Sequence, residues 1–387
     1  MLKVKLMNKI AKVGTDVLSP AKYEVGADVE NEDAIMVRSA ALHDMPFGEN
    51  LRAIARCGAG VNNIPVDKCT KAGVGVFNTP GANANAVKEL AIAALILASR
   101  DLVGGIKWVE ALAGQTGVAK AVEAGKSAFV GHELAGKTLG VVGLGAIGGM
   151  VANAAISLGM NVMGYDPYIT AKAAWSLAPS VRQASDYAEI FKNCDYITLH
   201  VPATPQTKNM ISEKTIAQMK DGVRILNLAR ADLVNAEDMK AALRTKKLAG
   251  YVTEFPTDET VGEEGVIAIP HLGASTVESE DHCAVMAAQQ LDEFLTCGNI
   301  RNSVNFPTVC VPYSEKPRVC IMNENVPNML SQITSTFSAQ NINIENLANG
   351  SKGETAYTIV ETNVKASEEI LKALAAIDGV FGVREFH

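Results

Sequence analysis

The run Gly143-Leu144-Gly145-Ala146-Ile147-Gly148 closes the apolar stretch Thr138-Leu139-Gly140-Val141-Val142 and opens onto a helical segment, and no other feature constrains the fold as tightly. In such a run the first glycine permits the strand-to-helix turn, the second lets backbone N–H groups approach a pyrophosphate, and the third lets helix and strand pack closely. The helix N-terminus then turns its partial positive charge toward the phosphates. A second strand-like stretch, Asn161-Val162-Met163-Gly164-Tyr165, ends in Asp166. A carboxylate at that point accepts from ribose hydroxyls and repels a 2′-phosphate, so the expected cofactor is NAD and not NADP.

With 387 residues, 48% of them apolar, the chain is long enough for roughly two or three domains with their own cores. A net charge of −7 disfavours nucleic acid and anionic membrane surfaces as partners. An anionic substrate must then find a local basic pocket. The opening Met1-Leu2-Lys3-Val4-Lys5-Leu6 is too short and too charged for a signal peptide's apolar region, and no stretch reaches the ~18 apolar residues of a membrane span. The 7 cysteines are scattered without a CxxC pair, which suits reduced core thiols in a cytoplasmic protein and no metal site.

Residues 1–85 alternate short apolar runs (Ala34–Val37, Arg52–Ala55, Gly75–Phe77) with polar helical stretches, the rhythm of a parallel α/β sheet of flavodoxin-like size. A long apolar helix over Ala84–Glu110 leads into a second, Rossmann series spanning about 86–279, with strands at Thr138–Val142, Asn161–Tyr165, Tyr196–His200, Arg224–Asn227, Ala249–Thr253 and Val266–Ala268. A helix over Ser279–Thr296 is expected to return the chain, so that residues 280–310 complete the first domain. The proline-bearing stretch Asn305–Pro317 reads as a linker, and a cut near Pro317 is expected to leave a folded core. Beyond it, residues 315–387 follow the order βαββαβ of a ferredoxin-like split unit. The expected class is therefore α/β, with two doubly wound parallel-sheet domains and a smaller C-terminal unit.

Hydride transfer to or from a 2-hydroxy acid needs an acid/base for the hydroxyl proton, a cation for the carboxylate, and a group that orients the base. His271, in Pro270-His271-Leu272-Gly273-Ala274-Ser275, follows a strand and suits the first role. Arg230, in Leu226-Asn227-Leu228-Ala229-Arg230, suits a planar two-pronged hold on a carboxylate. Glu254, Asp258 and Glu259 stand between them in sequence, and one such carboxylate beside the imidazole would favour its protonated form and fix its tautomer.

Several stretches together carry a resemblance: Arg56-Cys57-Gly58-Ala59-Gly60-Val61, Asn78-Thr79-Pro80-Gly81, the glycine run with Asp166, His200-Val201-Pro202, Ala229-Arg230 and Pro270–Thr276. Residues 1 to about 310 resemble the D-isomer-specific 2-hydroxyacid dehydrogenase family. The resemblance implies that Arg230 binds and polarises the substrate, that His271 exchanges the hydroxyl proton, and that a glutamate supports the histidine. Counting forward from Gly250 puts Glu259 in that supporting place, whereas matching on Phe255-Pro256 would choose Asp258; the ungapped register favours Glu259. It also implies an NAD site lined by Gly143, Gly145, Ala146, Ile147, Gly148, Asp166, Val201, Pro202, Ala229, Arg230, Glu254, His271, Gly273 and Ala274. Glu254 stands where the family usually has Asp. Arg38, Ser39, Gly58, Ala59 and Gly60 are implied to face the substrate, with Arg56 and Lys126 as further cations.

The C-terminal unit resembles an ACT domain, a small-ligand sensor that usually works in pairs. Asn323, Asn325 and Asn343 are the candidate effector contacts, and an amino acid such as serine the candidate effector. The implied reaction is NAD-dependent oxidation of 3-phosphoglycerate to 3-phosphohydroxypyruvate, the entry to serine synthesis, by a homodimer or higher homo-oligomer. The rival readings are a dehydrogenase of glyoxylate or hydroxypyruvate type and an NAD-sensing binding protein on the same fold.

Overall fold

The computed structural model describes residues 1–386. The chain forms two compact units, one of residues 1–83 and 277 onward, the other of Ala84–Thr276.

In the first unit β1 (Leu2–Leu6), β2 (Tyr23–Gly26), β3 (Ala34–Val37), β4 (Ala53–Arg56) and β5 (Gly75–Phe77) build a parallel sheet in the order β2-β1-β3-β4-β5, a flavodoxin-like arrangement. β3 is buried along its whole length, which is why it reads as an unbroken apolar run. β1 was hidden from sequence reading because Lys3 and Lys5 interrupt its apolar residues. The helix Val277–Cys297 covers this sheet and seats Phe294 against Phe77, their ring centroids 5.2 Å apart. It also passes so close to the short helix Lys12–Thr15 that a Cβ at Gly14 would lie 2.4 Å from that of Ala284.

The second unit carries β6 (Thr138–Val142), β7 (Asn161–Tyr165), β8 (Arg182–Gln183), β9 (Tyr196–Leu199), β10 (Val223–Asn227), β11 (Leu248–Thr253) and β12 (Val266–Ala268). Their order is β12-β11-β10-β9-β6-β7-β8, so the chain leaves β6 toward β7 on one side and returns to β9 on the other. That reversal makes the crevice at the carboxyl ends of β6 and β9 the place where such sheets take ligands. Leu139 and Val141 face one buried cluster and Val142 the other, as expected for a strand covered on both sides. Two details depart from the sequence reading. The short strand β8 has two exposed residues and no apolar pattern to betray it. The helix expected over Ala84–Glu110 breaks into Ala84–Ser99 and Leu102–Glu110, because Asp101 accepts from Gly104 N (2.8 Å) and caps the second piece.

The C-terminal segment forms β13 (Arg318–Glu324), β14 (Ile344–Lys352), β15 (Thr355–Thr362) and β16 (Val380–Phe386), an antiparallel sheet in the order β14-β15-β13-β16 with helices Met329–Ala339 and Glu368–Ala375 between its strands. Alternation along β13 divides its side chains between two cores. Val319 and Ile321 meet Ile333, Phe337, Ile370 and Leu374 of the sheet's own helices. Cys320 and Met322, with Tyr357, Ile359 and Phe386, join the core of the first sheet beside Phe77, Phe294 and Phe306.

The segment after Pro317 is thus no detachable tail, contrary to the sequence expectation. Polar contacts reinforce the junction: Tyr357 Oη donates to Gly298 O (2.6 Å), and Arg384 donates to Gly73 O (3.0 Å). A chain ending near Pro317 would expose Phe294 and Phe306, both fully buried in the intact unit. Since emptying the space around one buried Phe costs about 3–5 kcal/mol, such a truncation should be aggregated or markedly less thermostable. Calorimetry that shows the intact chain's unfolding temperature in the truncated one would refute the shared core.

Candidate active site

Within the second unit the glycine turn has the geometry its sequence demands. Gly143 has φ +89°, and a Cβ there would stand 2.6 Å from His200 O at the end of β9. At Gly148 a Cβ would lie 1.9 Å from Gly143 O, so this glycine lets the helix Ala146–Ser157 press on the turn. By contrast, a Cβ on Gly145 would meet nothing within 4 Å. The helix has no side-chain cap at its N-terminus. Open space in front of uncapped N–H groups fits a dinucleotide pyrophosphate. Asp166 closes the far side, its Oδ2 accepting from Leu144 N (2.9 Å) and its Oδ1 from Tyr168 N (2.9 Å). His200 Nε2 lies 2.9 Å from Thr198 Oγ1, and burial pushes this imidazole down to about 4. It is therefore neutral beside the turn.

Arg230 lies just past β10 on a loop organised by Asn227, a residue that sequence reading did not single out. Asn227 is fully buried; its Oδ1 accepts from Ala229 N (3.2 Å) and Arg230 N (3.3 Å), and its Nδ2 donates to Arg230 O (2.8 Å). A strand-ending Asn that bonds to backbone two and three residues on is the available signal. The Arg230 side chain is exposed, donates to Ala229 O and forms no ion pair among the described residues.

His271 is exposed on the loop after β12, its ring 4.8 Å from that of Phe255. The loop is held from beneath by Glu254, which is 2% exposed and accepts from Gly273 N at 2.7 Å. Burial raises the Glu254 carboxyl above its ordinary range, opposed by the Gly273 and Leu272 N–H groups and by Coulombic attraction toward His271 and Arg230. Glu254 therefore joins Arg230 and His271 in one electrostatic cluster. Glu259 does not. It is exposed and bonded to the Thr257 side chain, and Asp258 is exposed beside it; neither is hydrogen-bonded or ion-paired to His271 among the described residues. The turn Thr257–Thr260, closed by Thr260 side-chain and backbone bonds, carries both acids out to solvent.

The first unit holds the other candidates. Asn8, also unnoticed in the sequence, accepts from the N–H groups of Arg38, Ser39 and Ala40 (3.0–3.1 Å) and shapes the loop after β3. The Arg38 guanidinium is paired with Glu280 at 2.6 Å, both partly exposed. Gly58 has φ +144°, and any Cβ there would overlap the Arg56 guanidinium folded across it. Asn78 Nδ2 donates to Ala59 O (2.7 Å), steadying the Gly58-Ala59-Gly60 turn. In the second unit Lys126 is paired with Glu123.

Residues 92–273 match the D-isomer specific 2-hydroxyacid dehydrogenase NAD-binding domain, and residues 320–382 match an ACT domain of the AHAS small-subunit type. The chain belongs to the D-isomer-specific 2-hydroxyacid dehydrogenases, and its Rossmann unit is their NAD-binding domain. More particularly, it is 34% identical over 337 residues to a D-3-phosphoglycerate dehydrogenase of Synechocystis, covering 82% of this chain and 58% of that one. It is 32% identical over 341 residues to D-3-phosphoglycerate dehydrogenase 1 of Saccharomyces cerevisiae, covering 82% and 69%. The chain thus spans little more than half the length of most of the curated relatives it matches. Among solved structures, NAD⁺-bound 3-phosphoglycerate dehydrogenase of Entamoeba histolytica aligns with a TM-score of 0.62 at 27% identity, over 79% of this chain and 98% of that one.

Proposed function

We propose that the chain oxidises 3-phosphoglycerate to 3-phosphohydroxypyruvate with NAD, the first step of serine biosynthesis. The observation that carries this reading is the convergence of Arg230, Glu254 and His271 in the NAD-binding unit, and the named relatives support the choice of substrate. The glycine turn and the helix Ala146–Ser157 would hold the pyrophosphate and Asp166 the ribose. NAD, when bound, supplies the acceptor for the hydride. Arg230 grips the substrate carboxylate with two parallel donors and polarises the oxygen at C2. His271 takes the C2 hydroxyl proton as the C–H electron pair leaves with its hydrogen, so the products are the 2-oxo acid, NADH and a protonated imidazole.

A panel assay reading NADH absorbance with 3-phosphohydroxypyruvate, hydroxypyruvate and glyoxylate tests the assignment. The phosphorylated acid should give the highest kcat/KM, and preference for either plain acid would overturn it. His271→Asn keeps shape but loses the proton acceptor, so turnover should drop by about 10²–10⁴-fold. Wild-type turnover in that variant would exclude His271 as the acid/base.

Glu254, and not Glu259, is the positioning carboxylate in this reading. Its carboxyl is held by the Gly273 and Leu272 N–H groups and drawn toward His271 and Arg230. Glu254→Gln keeps the side chain's shape but removes its charge, so kcat should fall by about tenfold or more, the usual loss for a charge-assisted contact, and Glu254→Asp, which keeps the charge, should recover part of it. Glu259→Gln should leave kcat in place. The reverse pattern would restore the role to Glu259.

The helix Leu102–Glu110 buries no residue and exposes Leu102, Ile106 and Val109 at helical spacing on one face. A second copy of the chain is the partner we infer for it, since an isologous contact covers the same apolar patch on both subunits. Light scattering should then report a dimer that Ile106→Glu dissociates; a monomeric wild-type chain would remove this inference. The ACT-type sheet supports an amino-acid effector. Asn325 and Asn343 are exposed, the former with its Nδ2 donating to Gly353 O (3.0 Å), whereas Asn323 is 1% exposed with its Nδ2 donating to Glu324 O. No helix among the described residues is long and apolar enough to cross a membrane. With all cysteines free of disulfides, a cytoplasmic setting is the one we favour.

A further inference from the structure

The Gly58-Ala59-Gly60 turn after β4 is tied down by its carbonyls. Thr79 N donates to Gly58 O (3.0 Å) and Asn78 Nδ2 to Ala59 O (2.7 Å), both from the segment that follows β5. In a trans peptide the C=O and the N–H point in opposite directions. Drawing those two carbonyls toward residues 78 and 79 therefore turns the N–H groups of Ala59 and Gly60 the other way. Neither N–H donates to another group among the described residues, and Ala59 is exposed while Gly60 is half-buried. Two adjacent donors are thus presented together, and such donors bond an anionic oxygen roughly twice as strongly as a neutral one.

Asn78 is itself gripped from behind. Gln290, on the helix Val277–Cys297 and 5% exposed, donates through Nε2 to Asn78 O (3.0 Å) and to Met286 O (3.1 Å). Its Oε1 is buried with no hydrogen-bond partner among the described residues. Turning the amide over would set that oxygen against two carbonyl oxygens, so the donor end is fixed on Asn78. A methionine would fill the same space without an unpaired buried acceptor, whose cost is about 1–3 kcal/mol. What the amide supplies and a methionine would not is the bond to Asn78.

We propose that Asn78 is a positioning residue for the substrate, aiming the Ala59 and Gly60 N–H groups at one of its anionic oxygens, and that Gln290 locks Asn78 in that role. The role rests on the reading that this turn faces the substrate, and it names what gives the turn its direction. Glycine on both sides of Ala59 leaves an untied turn many conformations. A substrate would then bear the entropy of ordering it, whereas two internal bonds set the donors before binding. The Gly60 N–H belongs to the peptide whose oxygen Asn78 holds, so it is the donor that depends on this side chain most directly.

Steady-state kinetics and calorimetry of the intact chain are the test. Asn78→Asp keeps the size of the side chain but sets a carboxylate oxygen against Ala59 O, which frees that carbonyl. KM for the 2-oxo acid should rise at least about tenfold, the usual loss for a charge-assisted contact, while KM for NADH stays at the wild-type value. Gln290→Met keeps the length and removes the unpaired oxygen, so it should fold normally and raise the same KM about two- to tenfold, as for one neutral hydrogen bond. Running 3-phosphohydroxypyruvate beside hydroxypyruvate identifies the group that is held. A rise for both acids marks the carboxylate, a rise for the phosphorylated acid alone marks the phosphate, and either supports the role. Calorimetric titration of both acids into the NAD⁺-loaded chain repeats the comparison without turnover, so a wild-type preference for the plain acid removes the choice of substrate and leaves the positioning role standing. Unchanged affinity for both acids in both variants, or a loss of NADH binding in step with theirs, would overturn the proposal, and an effect in Asn78→Asp alone would strike Gln290 from it. If the wild-type chain binds neither acid, both readings fall.

Discussion

One guanidinium ties the first unit together. Arg318 opens β13 with no solvent exposure and donates to Glu361 Oε1 (2.7 Å), to Cys297 O at the end of the helix Val277–Cys297 (2.7 Å), and to Pro312 O (3.1 Å). Burial alone would raise Glu361, but bonds from Arg318, Asn346 and Ser314 hold its carboxyl below the ordinary range. Removing one partner of such a pair costs about 3–5 kcal/mol, because the other charge is left buried. The same cation lies against the last carbonyls of a long helix, where positive charge is favoured. Sheet, helix end and connecting segment are thereby held by one side chain. Close packing at Gly298 completes the joint, where a Cβ would stand 2.4 Å from Cys320 Sγ.

This joint changes what the C-terminal sheet can do. A sensor on a flexible linker would report on its ligand only through assembly. Here the sheet shares a core with Phe77 and Phe294, and the helix it grips begins at Val277, directly after the loop that carries His271. Arg318 of β13 bonds the C-terminal end of that helix, and at its N-terminal end Glu280 holds Arg38. A packed core of this kind transmits displacement because it has few voids to absorb it.

Much of this was legible in the sequence, and the reason differs from place to place. The glycine turn, Asp166 and the strands around them were legible because backbone sterics dictate residue type at each position. The C-terminal βαββαβ order was legible because short strand-like runs alternate with helical stretches along it. Its docking was not. The residues of β13 that face the first sheet, Cys320 and Met322, look the same in sequence as those that face its own helices. Asn8 and Asn227 escaped notice for a related reason: each acts by bonding backbone on a loop, and nothing in their composition distinguishes that from an ordinary polar turn.

The supporting acid shows where counting along a chain stops being physics. Register from Gly250 led to Glu259, yet the segment after β11 is irregular, and the Thr257–Thr260 turn swings Asp258 and Glu259 into water. A carboxylate that orients an imidazole must be held more firmly than solvent holds it, which favours a buried, hydrogen-bonded acid over an exposed one. Glu254 meets that condition because it directly follows β11, where the sheet fixes its backbone, and because its longer side chain reaches the Gly273 N–H. Its raised pKa follows from the same enclosure. Burial withdraws Glu254 from water, and the Gly273 N–H with the Coulombic pull of His271 and Arg230 opposes part of that cost. The acid is thereby coupled to the two residues on which the proposed chemistry rests.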